Sequence, residues 1–277
     1  MFSLSESAKG TQAMRRLMLL SAVAASLAIS GCVSTRQYAD LQFAPPQGDF
    51  KLVVMRPDVS VGSLRAGGTV EPRADWTEQA RTNIIAAMKA QQAERGGQTL
   101  IMDKRTSLKG VSAEQIAELE RLHGAVGNSI ALHKYAGYRL PTKRGRGLEY
   151  TLGADAVRFG RQTGYDYALF MHAEDSFADG GRVALQVLGI AGCFIGFCNP
   201  AVGGGGQSAY ASLVDLRSGE VVWFNVVNAG SQIAGIKMGD MRSPGGAAQL
   251  VDRLTGRMKP GKEVRRATAA AAKEKGR

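Results

Sequence analysis

The stretch Ala209-Tyr210-Ala211-Ser212-Leu213-Val214-Asp215-Leu216-Arg217-Ser218-Gly219-Glu220-Val221-Val222-Trp223-Phe224-Asn225 decides the fold class. Its two ends are rich in β-branched and aromatic residues and read as strands over 209–216 and 221–225. The four residues between them, Arg217 to Glu220, form a tight turn with a glycine placed for positive φ. The unit is a β-hairpin in the carboxyl-terminal half. Working backwards from it, Tyr165 to Ala173 is another strand-like run, leading into Glu174-Asp175-Ser176. A helix over Leu152–Gln162 precedes that run, and Gly164 stops the helix.

Further upstream, Phe50 to Met55 reads as a strand that Arg56-Pro57-Asp58 ends. Asp75 with Glu78 has capping-box spacing, and Trp76, Ala80, Ile84, Ala87, Met88 and Gln91 follow at helical intervals until Gly96-Gly97. Gln98 to Met102 is a further strand. Ser112 with Gln115 repeats the capping signal ahead of an apolar stripe at Ile116, Leu119, Leu122 and Val126. Downstream of the hairpin, Ala247 to Leu254 is a last short helix. Strands interleaved with helices imply an α/β class: a single domain over 50–256 with a mixed β-sheet covered by helices, a C-terminal β-hairpin and a glycine-rich apolar insertion.

With 277 residues, 44% of them hydrophobic, the chain can bury a substantial core, which excludes general disorder. The formal charge of +11 suggests nucleic acid until it is apportioned along the chain. Residues 253–277 hold nine basic and two acidic side chains, whereas residues 32–252 hold 23 basic and 21 acidic ones. A near-neutral body with a basic tail lacks the broad basic groove that tracks a phosphate backbone, so no nucleic-acid partner is expected. The tail, 257–277, is alanine-rich with little apolar content, and is expected to be disordered.

At the other end, Met14 begins the run MRRLMLLSAVAASLAISGC: two arginines, an apolar stretch from Leu17 to Ile29, then small residues. This is the pattern of a secretory signal peptide over 1–31, too short for a spanning helix. Residues 1–13 carry none of it, so Met14 is a second candidate start. Ile29-Ser30-Gly31-Cys32 resembles a bacterial lipobox. The resemblance implies diacylation of the Cys32 thiol with palmitate-type chains, cleavage before Cys32 and, with Val33 rather than aspartate next, sorting to the outer membrane. Residues 32–49, polar and stiffened by Pro45-Pro46, then read as a lipidated tether.

The signature YDYALF at 165–170, a long insertion, and SLVDLRSGEVVWFN at 212–225 resemble a periplasmic domain. It is the one shared by curli-secretion lipoproteins, penicillin-binding-protein activator lipoproteins and the amino-terminal domain of TolB. In that group the last two core strands are joined by a D-x-x-[ST]-G-x-[IV] turn, matched by Asp215 to Val221. The resemblance spans roughly residues 50–230 and implies an α/β domain facing the periplasm.

With Cys32 assigned to lipid, Cys193 and Cys198 remain as a pair in an oxidising compartment. They are expected to form a disulfide; two buried thiols and a metal site are the alternatives, the latter opposed by the dispersal of His123, His133 and His172. The pair closes the insertion Val183–Cys198, whose 16 residues hold one polar side chain, Gln186. Three readings stand for it: an extra core strand with a buried turn, a surface for a partner or a second copy, or a segment touching the bilayer. Leu188, Ile190, Phe194 and Phe197 are its candidate contact residues. The glycines at 203–206 that follow read as a flexible hinge.

No phosphate loop, G-x-S-x-G elbow or H-E-x-x-H pair occurs. His172 with Glu174 is the one cluster suited to acid/base work, and strand alternation puts these two on one face and Asp175 on the other. A polar strand end is the preferred account, so neither catalytic residues nor cofactors nor metal ligands are expected. The functional expectation is a non-enzymatic outer-membrane lipoprotein that binds or scaffolds a cell-envelope assembly through an envelope protein partner or self-association. The alternatives are a regulator of a periplasmic cell-wall synthase and an envelope enzyme using His172 and Glu174.

Overall fold

A computed structural model describes residues 33–95, 98–136, 138, 140, 147–193, 204–229 and 239–275. Among them the strands are β1 (Val33–Ala39), β2 (Lys51–Val54), β3 (Asp58–Leu64), β4 (Val70–Pro72), β5 (Gln98–Ile101), β6 (Tyr167–Ala178), β7 (Gln207–Asp215) and β8 (Glu220–Ala229). The helices are α1 (Ala74–Arg95), α2 (Ala113–Ile130), α3 (Gly153–Thr163), α4 (Gly180–Cys193), α5 (Pro244–Thr255) and α6 (Lys262–Lys275), with a π-helical turn over Ala131–Tyr135. The chain folds as a single α/β domain around one mixed sheet, ordered β1-β8-β7-β6-β2-β5.

Strand β6 organises that sheet. One of its edges pairs antiparallel with β7; the other pairs parallel with β2 over 167–169 and then with β3 over 172–178. Pro57 lies in the break between β2 and β3, where a residue without an N–H cannot continue the ladder. The proline therefore interrupts the strand rather than ending it, and β3, absent from the sequence reading, resumes at Asp58 alongside His172.

Alternation along the strands sends side chains to two cores. Leu169, Met171, Leu213, Trp223 and Val227 pack under Ile84 and Met88 of α1 and Leu250 and Leu254 of α5. Phe170, Tyr210, Val214, Phe224 and Val226 pack under Leu119 and Ile130 of α2 and Phe159 of α3. Helices thus cover both faces, as an α/β sheet with buried strands on each side requires.

Local signals explain where these elements start and stop. Ser112 caps α2 through the Gln115 N–H while the Gln115 side chain accepts from the Ser112 N–H. Gly164 ends α3 in the left-handed region at φ 73°. In the β7–β8 turn, Asp215 accepts from the Arg217 backbone and guanidinium at 2.6–2.9 Å, and Gly219 has φ 76°. The buried Asn225 donates to the carbonyls of Arg253 and Leu254 at 2.9 and 2.8 Å, satisfying the end of α5.

Several expectations need correction. Residues 33–39, read as part of a tether, are an edge strand paired along their whole length with β8, from Val33↔Ala229 to Ala39↔Trp223. The partner lies at the far end of the sequence, so no local pattern announces it. The tail read as disordered contains α6, whose entry is tied down by Gly261 N to Phe43 O at 2.8 Å and Glu263 N to Leu41 O at 3.0 Å. Its alanines supply helix propensity where they cannot supply a core. The fold therefore extends past 50–256 in both directions. In the insertion, Val183 to Cys193 is helix rather than a core strand; an apolar run of this length does not discriminate the two by periodicity. The glycines read as a hinge are pinned where described: Gly206 N donates to Ser176 Oγ at 3.0 Å, and buried Gly205 has φ 104° with no room for a side chain against Ser176 O.

Candidate functional site

The register brings four chain positions to one end of the sheet. Val33 lies opposite Ala229, Ala229 opposite Gln207, and Gln207 opposite Asp175. From that level β6 runs three residues further with β3, to Ala178↔Leu64, before α4 begins. Asp179 starts the helix by accepting from Arg182 N through Oδ1 at 2.7 Å and from Val183 N through its carbonyl at 2.9 Å.

Helix α4 has its polarity reversed with respect to an ordinary surface helix. Arg182 and Gln186, four residues apart on one face, are half-buried, and Arg182 Nη1 donates to Ala66 O at 3.2 Å. Val183, Leu185, Val187 and Leu188 face outward at 46, 41, 60 and 66% exposure. A water-facing helix carries its polar side chains outward, so this one presents a continuous apolar surface.

A second feature is a cleft of about 350 Å³ on the α2 side of the sheet, lined by the β2–β3 break, Arg81, α2, Phe170, His172 and Tyr210. Arg81 holds the break in place by donating to the carbonyls of Pro57 and Val59, both at 3.3 Å, while pairing with Glu78 at 2.7 Å. This aims Asp58 at His172: Nδ1 donates to Asp58 Oδ2 at 2.8 Å, and Nε2 reaches Glu174 Oε1 at 3.2 Å. The ring stacks on Tyr210 at 4.9 Å between centroids, and Tyr210 stacks on Phe224 at 5.3 Å. Partial burial works against the charge of His172, but the bonds to Asp58 and the field of Glu174 outweigh it and raise its pKa. The same bond to His172 lowers the pKa of Asp58.

Beneath His172 lies His123, 5% exposed and stacked flat on Phe170 at 4.1 Å. It shares a short hydrogen bond with the hydroxyl of the fully buried Ser212. Burial, aided by the neighbouring His172 charge, pushes its pKa down to about 3. The close approach that makes this contact possible comes from Gly127, where a Cβ would sit 2.5 Å from the Tyr210 ring.

This arrangement has little catalytic capacity. With both ring nitrogens of His172 bonded to carboxylates, neither is free to take a substrate proton, and the clamp favours the imidazolium form. The Ser212–His123 pair has the residue types of a nucleophile and its base, but Ser212 has no exposed surface for a substrate to reach. Among the described residues, no group of three His, Cys, Asp or Glu side chains is arranged to hold a metal ion. His172 and Glu174 do share a face, and Asp175 points to the other, where Gln207 Nε2 donates to it at 3.0 Å.

The remaining candidate residues divide as follows. Leu188 is more exposed than Val183, Leu185 and Val187 of the same helix. Ile190 and Cys193 lie on the same helix. Cys32, Phe194, Phe197 and Cys198 lie outside the described residues, and with them the signal peptide, the acylation and the disulfide. Sequence reasoning passed over Asp58, His123 and Ser212, whose partners are 114 and 89 residues away. The only local signal was Pro57 beside Asp58.

No protein-family model matches the chain, and no curated protein matches it. Among solved structures it is similar to PelC from Paraburkholderia phytofirmans, crystallised as a dodecamer, at 13% identity over 81% of this chain and 99% of that one, with a TM-score of 0.34. It is similar to lipoprotein GNA1162 from Neisseria meningitidis at 14% identity over 68% and 89% of the two chains, TM-score 0.28. The C-terminal domain of LpoB from Salmonella enterica matches at 13% identity over 66% and 84%, TM-score 0.25. At these scores nothing transfers from those proteins to this one.

Proposed function

We propose that this chain is a lipid-anchored, non-enzymatic protein of the bacterial cell envelope, held by acyl chains on Cys32 at the periplasmic face of the outer membrane, where it binds or scaffolds an envelope assembly. One observation supports this reading most: Val33, the first described residue and already paired in the sheet, is bonded directly to Cys32. A domain that begins at its own acylation site is held flush against the bilayer. Several acyl chains, each buried methylene contributing about 0.8 kcal/mol, would anchor it stably there.

The same observation weighs against a regulator of an inner-membrane synthase. Seventeen free residues could have extended about 60 Å at roughly 3.5 Å each. Seven of them are spent in β1, and Leu41 and Phe43 bind the entry of α6. The committed nitrogens of His172 weigh against the enzyme reading. The disulfide between Cys193 and Cys198 remains part of the proposal.

Acylation should depend on Cys32 alone. Metabolic labelling with palmitate is expected to mark the unsubstituted protein and to leave Cys32→Ala unmarked; label retained by the variant would remove the anchor and the outer-membrane location together.

A further inference from the structure

We infer that the outward face of α4 lies in the lipid interface, with Val183, Leu185, Val187 and Leu188 buried among the acyl chains of the leaflet that holds Cys32. The inference rests on the proposed acylation of Cys32 and names the surface that the anchored domain touches.

Three observations converge on a bilayer rather than a protein. The first is the reversed polarity of α4, which turns Arg182 and Gln186 towards the domain and four large apolar side chains away from it. The second is position. Val33 and the carboxyl-terminal stretch of β6 lie at the same end of the sheet, three strands apart, which at about 4.8 Å per strand is roughly 14 Å. Strand β6 continues three residues past the level of Val33, about 10 Å at 3.3 Å per residue, before α4 starts. Any surface that receives the acyl chains of Cys32 therefore lies on the side from which α4 emerges. The third is charge: the one ionisable side chain of α4 besides its cysteine is Arg182, a cation, so nothing on the helix repels an anionic headgroup.

The helix is 14 residues long, shorter than the roughly 20 a crossing requires. Among the described residues no helix is long and apolar enough to span. A short apolar helix beside a lipid anchor lies in the plane of the interface, about 5–10 Å deep. The exposed apolar face and the anchor then act together, fixing the orientation of the domain on the membrane where acyl chains alone would leave it free to tumble.

The test uses the acylated full protein, purified from envelopes and reconstituted into phosphatidylethanolamine and phosphatidylglycerol vesicles with brominated acyl chains. Leu188→Trp places a reporter on the outward face of α4. Ser218→Trp places one in the exposed turn at the opposite end of the sheet. Both are read above the background of Trp76 and Trp223 in the unsubstituted protein, with palmitate label on Cys32 measured in parallel. The added fluorescence of Leu188→Trp should fall about two-fold or more, as a ring 5–10 Å deep would, while Ser218→Trp keeps its signal. Equal signals from the two reporters in labelled protein would overturn the seating of α4 and leave the anchor standing. Crosslinking of two copies through position 188 without quenching would overturn it in favour of self-association. Absence of label would instead remove the anchor on which the inference rests.

Discussion

Replacing Trp223 by alanine should destabilise the domain by about 4 kcal/mol, within the range for removing a large aromatic side chain from a core. The indole is fully buried between the sheet and α5, and its Nε1 donates to Gln37 Oε1 of β1 at 3.2 Å. The informative comparison is Gln37→Ala. Gln37 Oε1 also accepts from the Lys259 N–H at 3.0 Å, so one amide oxygen joins β1, β8 and the segment leading to α6. Its loss leaves a buried indole N–H without a partner, which costs about 2 kcal/mol. Urea unfolding measures both changes. If residues 33–49 were a free tether, Gln37→Ala would fall within about 0.5 kcal/mol of the unsubstituted protein, as exposed substitutions do.

The second large effect is acid sensitivity originating at His123. Its folded pKa of about 3 lies below the unfolded value near 6.5. The unfolded chain therefore takes up a proton first, and stability falls as pH drops from about 6.5 towards 3. At pH 4.5 this one group removes about 3 kcal/mol relative to pH 7. His172 works in the opposite sense: its raised folded pKa gives stability that is complete below about 6.5 and is lost as pH climbs through the folded value. Asp58, with a lowered folded pKa, contributes above the unfolded carboxylate range and loses that contribution only in stronger acid.

A His123→Gln protein isolates the term, since glutamine can still bond to Ser212 but does not titrate. The difference in unfolding free energy between the variant and the unsubstituted protein should move by about 3 kcal/mol in favour of the variant between pH 7 and 4.5. Parallel stability curves would show that His123 is not buried neutral.

What the sequence disclosed, and what it did not, follows the reach of each interaction. The β7–β8 turn was legible because Asp215, Arg217, Ser218 and Gly219 bond to one another or to their immediate neighbours. The cap of α2 and the glycine end of α3 were legible for the same reason. Strand β1 was not: its polar sequence, VSTRQYA, is held by backbone pairing to β8 and by the Gln37 bond to Trp223, 186 residues away. Strand β3 was hidden by Pro57, a residue that interrupts a ladder as readily as it ends one.

The candidate site shows the same division. Residue types on β6 disclosed His172 and Glu174, and alternation put both on one face. The clamp from Asp58 and the buried His123–Ser212 pair depend on contacts between distant elements. In the insertion, the apolar character was evident but its secondary structure was not. The outward direction of Val183, Val187 and Leu188 became visible only when Arg182 and Gln186 were found turned towards the domain.

That the folded domain starts at Val33, leaving no slack between membrane and sheet, is tested most directly by amide hydrogen exchange on the acylated protein bound to vesicles. Protection of alternate amides over residues 34–39, those that face β8, comparable with that of Trp223 to Asn228, is the expected result for an edge strand paired on one side. Exchange of 34–39 at the rate of an unstructured chain, with β8 still protected, would contradict it and restore a tether between the lipid and the fold.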